Sequence, residues 1–201
     1  MSSRARLRDK WRLKKWYTVY APEFFGNVAV GTTPADGPQK LIGRVIETTL
    51  YDITGHFDQQ HVKLFFQIVR VEGENAYTIF KGHDFARDYL RSLVRRGSSR
   101  IDGIFTVETK DGYIVQVYLI ALTTTRAKTS QERAIRKIME QTVYRKAEQL
   151  NFEEFIQQAV LGKIASEVYN EAKKIHPLRK VEVFKTELLK APILEELQLA
   201  A

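Results

Sequence analysis

The first sixteen residues carry cations at a spacing that suits a polyanion. Seven arginines and lysines stand against the single carboxylate of Asp9: Arg4, Arg6, Arg8, Lys10, Arg12, Lys14 and Lys15. From residue 4 to residue 14 a cation alternates with another residue type. An extended chain would bring these cations to one side, whereas a helix would scatter them around its axis. We therefore predict that residues 1–16 form an extended arm that follows a phosphate backbone.

Three aromatic residues lie among or directly after these cations: Trp11, Trp16 and Tyr17. Their rings can stack on unpaired bases of RNA, or they can anchor the arm to a folded core. Aromatic side chains bury large areas in cores, so we expect Trp16 and Tyr17 to be anchors. Trp16 is kept as the candidate for stacking on an RNA base.

A second group of cations belongs to a helix predicted from Ser130 onward. One face of this helix is apolar, and the opposite face carries Arg133, Arg136 and Lys137. With Arg126 and Lys128, which precede the helix, these cations form a basic patch. The patch either binds RNA phosphates or is an ordinary solvated helix face. The residues predicted to pack on the apolar face are Ile135, Ile138, Met139, Thr142 and Val143.

Four further arginines have a structural interpretation beside the RNA-binding one. Arg44 is a candidate for an RNA contact, but it lies in a predicted strand and can instead pair with Glu47. The other three form a stripe on a predicted helix, and we favour local pairing of this stripe with Asp84 and Asp88. The stripe consists of Arg87, Arg91 and Arg95.

Motifs for catalysis and metal binding are missing from the sequence. It contains no cysteine. It also lacks the Walker A loop, the serine nucleophile elbow, the dinucleotide-binding glycine pattern and the HExxH motif. Two histidines lie near two aspartates at a spacing that matches no standard zinc site: His56 and His61, Asp52 and Asp58. We predict no enzyme, no metal and no cofactor, and keep a metal-dependent nuclease on these four residues as a remote alternative.

Composition points to a folded protein with a polyanionic partner. The 201 residues carry a formal net charge of +8, which favours nucleic acid first and an anionic membrane second. Hydrophobic residues make up 44% and charged residues 28%, an ordinary globular mixture. No apolar run approaches the ~20 residues of a membrane span, and no signal peptide is recognisable. We therefore expect a cytoplasmic protein without a membrane partner.

The elements that must position these residues are strands and helices in irregular alternation. Strands are predicted over residues 41–50, 62–71, 75–81, 104–110, 113–123 and 180–188, with a hairpin turn at Asp111 and Gly112. Helices are predicted over residues 85–96, capped by Asp84, over 129–150, opened by a capping box from Thr129 to Glu132, and over 151–175. This pattern indicates an α+β fold with a largely antiparallel sheet. We expect one domain over residues 17–190, between the basic arm of residues 1–16 and a C-terminal tail of residues 191–201.

Six segments in order resemble one known family. They are residues 14–24 (KKWYTVYAPEF), 41–53 (LIGRVIETTLYDI), 82–88 (GHDFARD), 109–113 (TKDGY), 131–140 (QERAIRKIME) and 176–185 (HPLRKVEVFK). Together they resemble the archaeal and eukaryotic small-subunit ribosomal protein family S-one-e, also called S-three-A-e. Thr49 and Ile53 depart from the Ser or Cys and the Leu of that pattern, but they keep size and β character.

The resemblance implies both a fold and a function. The fold would be a β-barrel-like core flanked by helices. The protein would be a structural constituent of the small ribosomal subunit that binds ribosomal RNA on the platform, near the messenger RNA exit. Its partners would be neighbouring ribosomal proteins and, as a further candidate, messenger RNA. The alternative is a free-standing RNA-binding regulatory protein. Since no long lysine-rich tail follows Pro192, we expect an archaeal rather than a eukaryotic member.

Overall fold

The computed structural model describes residue 11 and residues 14–192. In this part of the chain five α-helices accompany an eight-stranded sheet, which confirms the predicted α+β class. The strands are β1 (Lys15–Tyr20), β2 (Ala29–Ala35), β3 (Val45–Thr49), β4 (Val62–Glu72), β5 (Asn75–Phe85), β6 (Arg100–Glu108), β7 (Ile114–Thr123) and β8 (Leu178–Lys190). The helices are α1 (Leu50–Thr54), α2 (Arg87–Leu93), α3 (Thr129–Gln149), α4 (Phe152–Val160) and α5 (Lys163–Ala172).

The sheet is mixed and mainly antiparallel. Its strand order is β2-β1-β5-β8-β7-β6, and β4 pairs with both β3 and β5. Strands β1 and β5 run parallel, while the pairs β1–β2, β5–β8, β7–β8 and β6–β7 are antiparallel. Over the described residues the sheet does not close, so the barrel-like core that the family resemblance implies takes the form of an open sheet.

Contacts divide the chain into two units. The first unit comprises residues 1–46 and 66–80. The alternation along β1 directs Tyr17 and Val19 into its core, where they join Leu41, Ile68 and Ala76. A cluster of phenylalanines completes this unit, consisting of Phe24, Phe25, Phe66 and Phe80.

The second unit comprises residues 47–65 and 81–201. Here α3 packs against β6 and α5, and α5 packs against β8. At Gly103 in β6 the lack of a side chain lets the Phe105 ring and the Met139 sulfur come close, since an added Cβ would lie 2.7 Å from the ring and 3.2 Å from Sδ. The apolar face of α3 can therefore approach the strand closely.

The second unit also buries a histidine. His83 lies fully inside it, where Nε2 donates to the Val183 carbonyl oxygen at 3.0 Å and Nδ1 accepts from the Thr186 hydroxyl at 2.7 Å. Burial lowers the pKa of His83 to about 4, although the hydrogen bond to Val183 acts in the opposite direction. At neutral pH the side chain is an uncharged part of the packing between β5 and β8.

Most predicted elements are present, with shifted ends. The hairpin at Asp111 and Gly112 is confirmed, with Gly112 at a φ of +78°. Strands β4 and β8 also match their predictions. The strand predicted from residue 41 begins only at Val45, and the turn predicted between it and β4 contains α1. Thr49 caps α1 because its hydroxyl accepts from the Asp52 amide while the Asp52 carboxylate accepts from the Thr49 amide.

Three helix predictions need correction. Asp84 does not cap α2, because residues 82–84 pair with β8 and the helix starts after Ala86. The long helix predicted over residues 151–175 is two helices, since Gly162 adopts a φ of +77° between α4 and α5. Helix α3 is capped one residue earlier than predicted, where the Lys128 amide donates to the Gln131 side-chain oxygen at 3.0 Å.

Two strands were not predicted, β1 and β2. They pair with each other, and β1 also pairs with residues 75–77 of β5. Residues 15 and 16 of the predicted arm are thus the first two residues of β1. Residues 193–201 of the predicted tail lie outside the described residues. The bounds predicted for arm, domain and tail stay predictions.

Candidate nucleic-acid interface

Helix α3 presents a row of cations on the face opposite its packing surface. Ile135, Met139, Thr142 and Val143 are buried and Ile138 is half-buried, which confirms the predicted apolar face. Arg133, Arg136 and Lys137 are exposed. The buried face fixes the helix against β6, so the cations are held on a rigid frame.

Most cations of this face have no acidic partner. Among the described ion pairs none involves Arg133 or Lys137, nor Arg126 or Lys128, which are exposed just before the helix. We call these four residues together with Arg136 the α3 basic face. Unpaired cations in a row repel one another, and phosphates would relieve that repulsion.

The other end of α3 is electrostatically different. Arg145 pairs with Glu167 at 3.5 Å and with Glu171 at 3.3 Å, and Lys146 pairs with Glu167 at 2.5 Å. Both carboxylates belong to α5. The last turn of α3 therefore uses its cations within the protein, while Arg133 and Lys137 in the first three turns remain available to a ligand.

A cleft of about 560 Å³ lies between the α3 basic face and strand β6. Arg136 Nε donates to the Asp102 carbonyl oxygen at 3.1 Å, and the Tyr144 hydroxyl donates to the Thr106 carbonyl oxygen at 3.2 Å. These two hydrogen bonds tie α3 to the strand at both ends of the cleft. The lining residues are Ile104, Phe105, Thr106, Arg133, Arg136, Lys137, Glu140 and Tyr144.

The predicted arm is described only in part. Lys14 Nζ lies 4.1 Å from the centroid of the Trp11 ring, and Lys15 and Trp16 are exposed at the start of β1. Tyr17 is buried, so the anchoring predicted for it is confirmed. For Trp16 that prediction is wrong, because 60% of the side chain is exposed. The remaining arm cations predicted to bind RNA lie outside the described residues: Arg4, Arg6, Arg8, Lys10 and Arg12.

Arg44 already has protein partners. Its guanidinium donates to the hydroxyl of Thr33 and, at 3.2 Å, to the Pro34 carbonyl oxygen, both in β2. The pair with Glu47 considered from the sequence is not formed, since Glu47 binds Lys63 Nζ at 2.7 Å. Arg44 is half-buried and belongs to the first unit.

Comparisons with known proteins identify the family. The sequence model that defines the ribosomal S3Ae family matches residues 2–192 of this chain. The chain belongs to the ribosomal S3Ae family. This confirms the family predicted from the six segments.

Several curated relatives of this S3Ae chain bear the name small ribosomal subunit protein eS1. The relative from Desulfurococcus amylolyticus is 56% identical over 189 residues, which is 94% of this chain and 89% of the relative. The relative from Staphylothermus marinus is 58% identical over 186 residues, 92% of this chain and 88% of the relative. The relative from Sulfurisphaera tokodaii is 52% identical over 192 residues, 96% of this chain and all of the relative. These relatives are archaeal, in agreement with the predicted type.

The arginine stripe of this S3Ae chain differs from its prediction. Arg87, Arg91 and Arg95 are exposed, and no described ion pair joins them to Asp84 or Asp88. Burial raises the pKa of Asp84, while the charges of Lys185 and Arg87 act in the opposite direction. The local pairing favoured from the sequence is therefore not formed as ion pairs, and of the three arginines only Arg87 acts by its charge on Asp84.

The residues of the proposed nuclease site have other roles in the S3Ae fold. Asp52 caps α1, and its hydrogen bonds from Thr49 lower its pKa. The His61 ring stacks on Tyr89 with centroids 3.7 Å apart and meets the Phe85 ring edge-on. Within residues 14–192 no group of three or more His, Asp or Glu side chains is arranged to hold a metal ion. None of the helices described here is long and apolar enough to cross a membrane.

Sequence reasoning missed the apolar part of the interface. Ile104 and Tyr144 are exposed beside the cations, with 57% and 41% of their surfaces accessible. A signal for Tyr144 was present, since Arg133, Lys137, Glu140 and Tyr144 follow one another at helical spacings of four, three and four residues. Ile104 offered no such signal, because its position beside the helix depends on how α3 packs on β6.

Proposed function

We propose that this chain is a structural constituent of the small ribosomal subunit and binds small-subunit ribosomal RNA through the α3 basic face. The observation that carries the proposal is the row of exposed, unpaired cations on a helix that is held rigidly by its buried face. Membership of the ribosomal S3Ae family and the name of the curated relatives support it.

The mechanism is electrostatic docking. Each lysine or arginine that neutralises a phosphate releases counterions. The logarithm of the binding constant therefore falls linearly with the logarithm of the salt concentration, with a slope of about 0.7 to 0.9 per contact. Because α3 is fixed against β6, its cations meet the RNA without the cost of ordering a flexible segment. Arg136 is further fixed by its hydrogen bond to Asp102.

The basic arm is part of the same proposal. Its cations from Arg4 to Lys15 would follow a phosphate backbone, and Trp16, exposed at the start of β1, would stack on an unpaired base. Deleting residues 1–13 should then weaken subunit binding and flatten its salt dependence while leaving thermal unfolding nearly unchanged. A large fall in unfolding temperature would contradict this role, because it would make the arm part of the core.

The position on the subunit is also a proposal. The resemblance of the six segments supports a place on the platform near the messenger RNA exit, in cytoplasmic ribosomes. Neighbouring ribosomal proteins would be partners there, and messenger RNA is a further candidate. Crosslinking mapped by residue should show RNA contacts at Arg133 and Lys137 and none at the paired Arg145 and Lys146.

Sedimentation of the full-length chain tests the main proposal. In a gradient at low salt, the tagged protein should travel with small subunits and be released as salt rises. Its presence only in the ribosome-free fraction at low salt would contradict the proposal. Tight, selective binding to isolated RNA combined with that result would favour the alternative of a free regulatory protein.

A further inference from the structure

Strand β6 ends the strand order of the described sheet, so one of its edges is unpaired. Two hydrogen bonds between directly opposed residues fix which main-chain groups face that edge. The Thr123 amide donates to the Ser99 carbonyl oxygen at 3.0 Å, and the Thr109 amide donates to the Tyr113 carbonyl oxygen at 2.9 Å. Hydrogen-bonded and non-hydrogen-bonded pairs alternate along an antiparallel ladder. The odd-numbered residues of β6 therefore face β7, and residues 102, 104 and 106 direct their amides and carbonyls to the open edge.

Helix α3 already uses two of these three positions. Arg136 binds the Asp102 carbonyl and Tyr144 binds the Thr106 carbonyl. Between them, no described side-chain hydrogen bond reaches the main chain of Ile104. The Ile104 amide and carbonyl thus form a donor and an acceptor, side by side, at the wall of the α3–β6 cleft.

The rest of the cleft combines apolar and cationic surface. The apolar residues of its lining are Ile104, Phe105 and Tyr144, of which Ile104 and Tyr144 are exposed. Arg133 and Lys137 provide unpaired charge, against the one carboxylate of Glu140. The volume of about 560 Å³ lies within the range of small-molecule sites, about 300 to 1,000 Å³. A nucleotide combines the three features that this lining can bind, which are a ring, a hydrogen-bonding edge and an attached anion.

We propose that the α3–β6 cleft binds one unstacked base of single-stranded RNA. The base stacks on the Tyr144 ring, and its edge meets the Ile104 amide and carbonyl. Arg133 and Lys137 bind the phosphates on either side. This inference rests on the proposed RNA-binding function of the α3 basic face and gives that face a preference for unpaired segments, since paired bases are already stacked and cannot enter.

An added peptide strand is the other ligand that a free sheet edge can bind. Strand addition needs the outward groups of successive alternate residues. Here Arg136 and Tyr144 occupy the carbonyls on both sides of Ile104, so a peptide could not form consecutive main-chain pairs across residues 102–106. The cationic lining also suits phosphate better than an average peptide. The geometry therefore favours the base.

Binding of the full-length chain to matched RNA oligonucleotides tests the proposal. The probes are a mixed-sequence single strand and the same sequence as a duplex. Ile104→Ala shortens the apolar wall, and Ile104→Pro removes the amide, which an edge strand tolerates where the N–H points outward. Tyr144→Ala should weaken binding to the single strand roughly tenfold, the usual loss when one aromatic stacking platform is removed. The Ile104 variants should each weaken it by a smaller factor of about two to ten, the loss expected for one hydrogen bond or a small apolar contact. Binding to the duplex should change less than twofold.

A matched control removes the same atoms elsewhere. Ile42, in the first unit, is also 57% exposed, and Ile42→Ala should leave both affinities unchanged. Thermal unfolding checks that each variant folds. If Ile104→Pro does not fold, Ile104→Ala and Tyr144→Ala decide the question.

The proposal is overturned if the Ile104 variants bind the single strand as wild type does, or if they lose single-strand and duplex binding equally. If the wild-type chain still sediments with small subunits in that case, the proposed ribosomal function is retained and only the base site is rejected. Wild-type chain that binds neither RNA nor subunits refutes the function itself. A photoreactive group at position 144 in assembled subunits should crosslink to RNA, and crosslinking to protein would identify a peptide strand instead.

Discussion

Replacing Arg133 and Lys137 with glutamine should lower the salt dependence of RNA binding by an amount that the structure sets. Both side chains are exposed on α3, and neither takes part in a described ion pair, so each is available for one phosphate contact. Each lost contact reduces the slope of log binding constant against log salt by about 0.7 to 0.9. The double variant should therefore lose about 1.4 to 1.8 from the slope.

The same helix supplies a control with an identical change in charge. Arg145→Gln with Lys146→Gln also removes two positive charges from α3, but these side chains are paired with Glu167 and Glu171. Such surface pairs contribute about 0 to 1 kcal/mol each, so the control variant should fold with a small loss of stability. Its salt slope should stay close to that of the wild type.

The assay is equilibrium binding to transcribed small-subunit ribosomal RNA over a series of potassium chloride concentrations, with thermal unfolding of each variant as a check. An equal reduction of the slope by both double variants would refute the reasoning. That outcome would mean that RNA senses only the net charge of the chain and that the α3 basic face is not a contact surface. An unchanged slope in the first double variant would refute it as well.

Three further predictions concern stability, measured by urea unfolding. Burial lowers the pKa of His83 from 6.5 to about 4, so the unfolded chain binds a proton at this side chain more tightly than the folded chain does. The contribution of His83 to the free energy of unfolding is therefore complete above pH 6.5 and is lost as the pH falls toward 4. Wild type should lose about 2 kcal/mol more than His83→Gln between pH 7 and pH 5, and equal losses would contradict the burial argument. The buried Thr142 hydroxyl has no partner among the described residues, so Thr142→Val should stabilise the protein by about 1 kcal/mol. By contrast, Thr186→Val removes a hydrogen-bond partner of His83 and should lower the free energy of unfolding by about 1 to 3 kcal/mol. An added Cβ at Gly82 would lie 2.3 Å from the Thr186 carbonyl oxygen, so Gly82→Ala should lower the free energy of unfolding by at least about 2 kcal/mol. Gly31→Ala is the control, because no atom lies within 4 Å of the added Cβ, and it should leave the stability nearly unchanged.

Elements with strong local signals could be predicted from the sequence. The Asp111-Gly112 turn joins β6 and β7 because Gly112 adopts a positive φ without strain. The apolar face of α3 follows from helical spacing alone, and so does the position of its cations on the opposite face. The amphipathic pattern thus gave the cationic half of the candidate site.

Elements that depend on distant partners could not be predicted. Strand β1 begins among the cations of the arm, and its second partner is β5, more than fifty residues away. Asp84 resembles a helix cap, but residues 82–84 pair with β8, whose sequence lies about a hundred residues further on. In both cases sheet pairing decides the conformation, and local propensity is overridden.

The apolar half of the site belongs to this second class. Ile104 becomes a candidate only when three facts are known together: β6 is an edge strand, its even-numbered residues face outward, and α3 covers the carbonyls on both sides. An uncovered edge would invite pairing with another strand, and proteins commonly cover or charge such edges. Arg136 and Tyr144 meet that need at residues 102 and 106, and between them Ile104 keeps both its amide and its carbonyl open. The side chains that prevent strand pairing are therefore the ones that shape a cleft for one planar group.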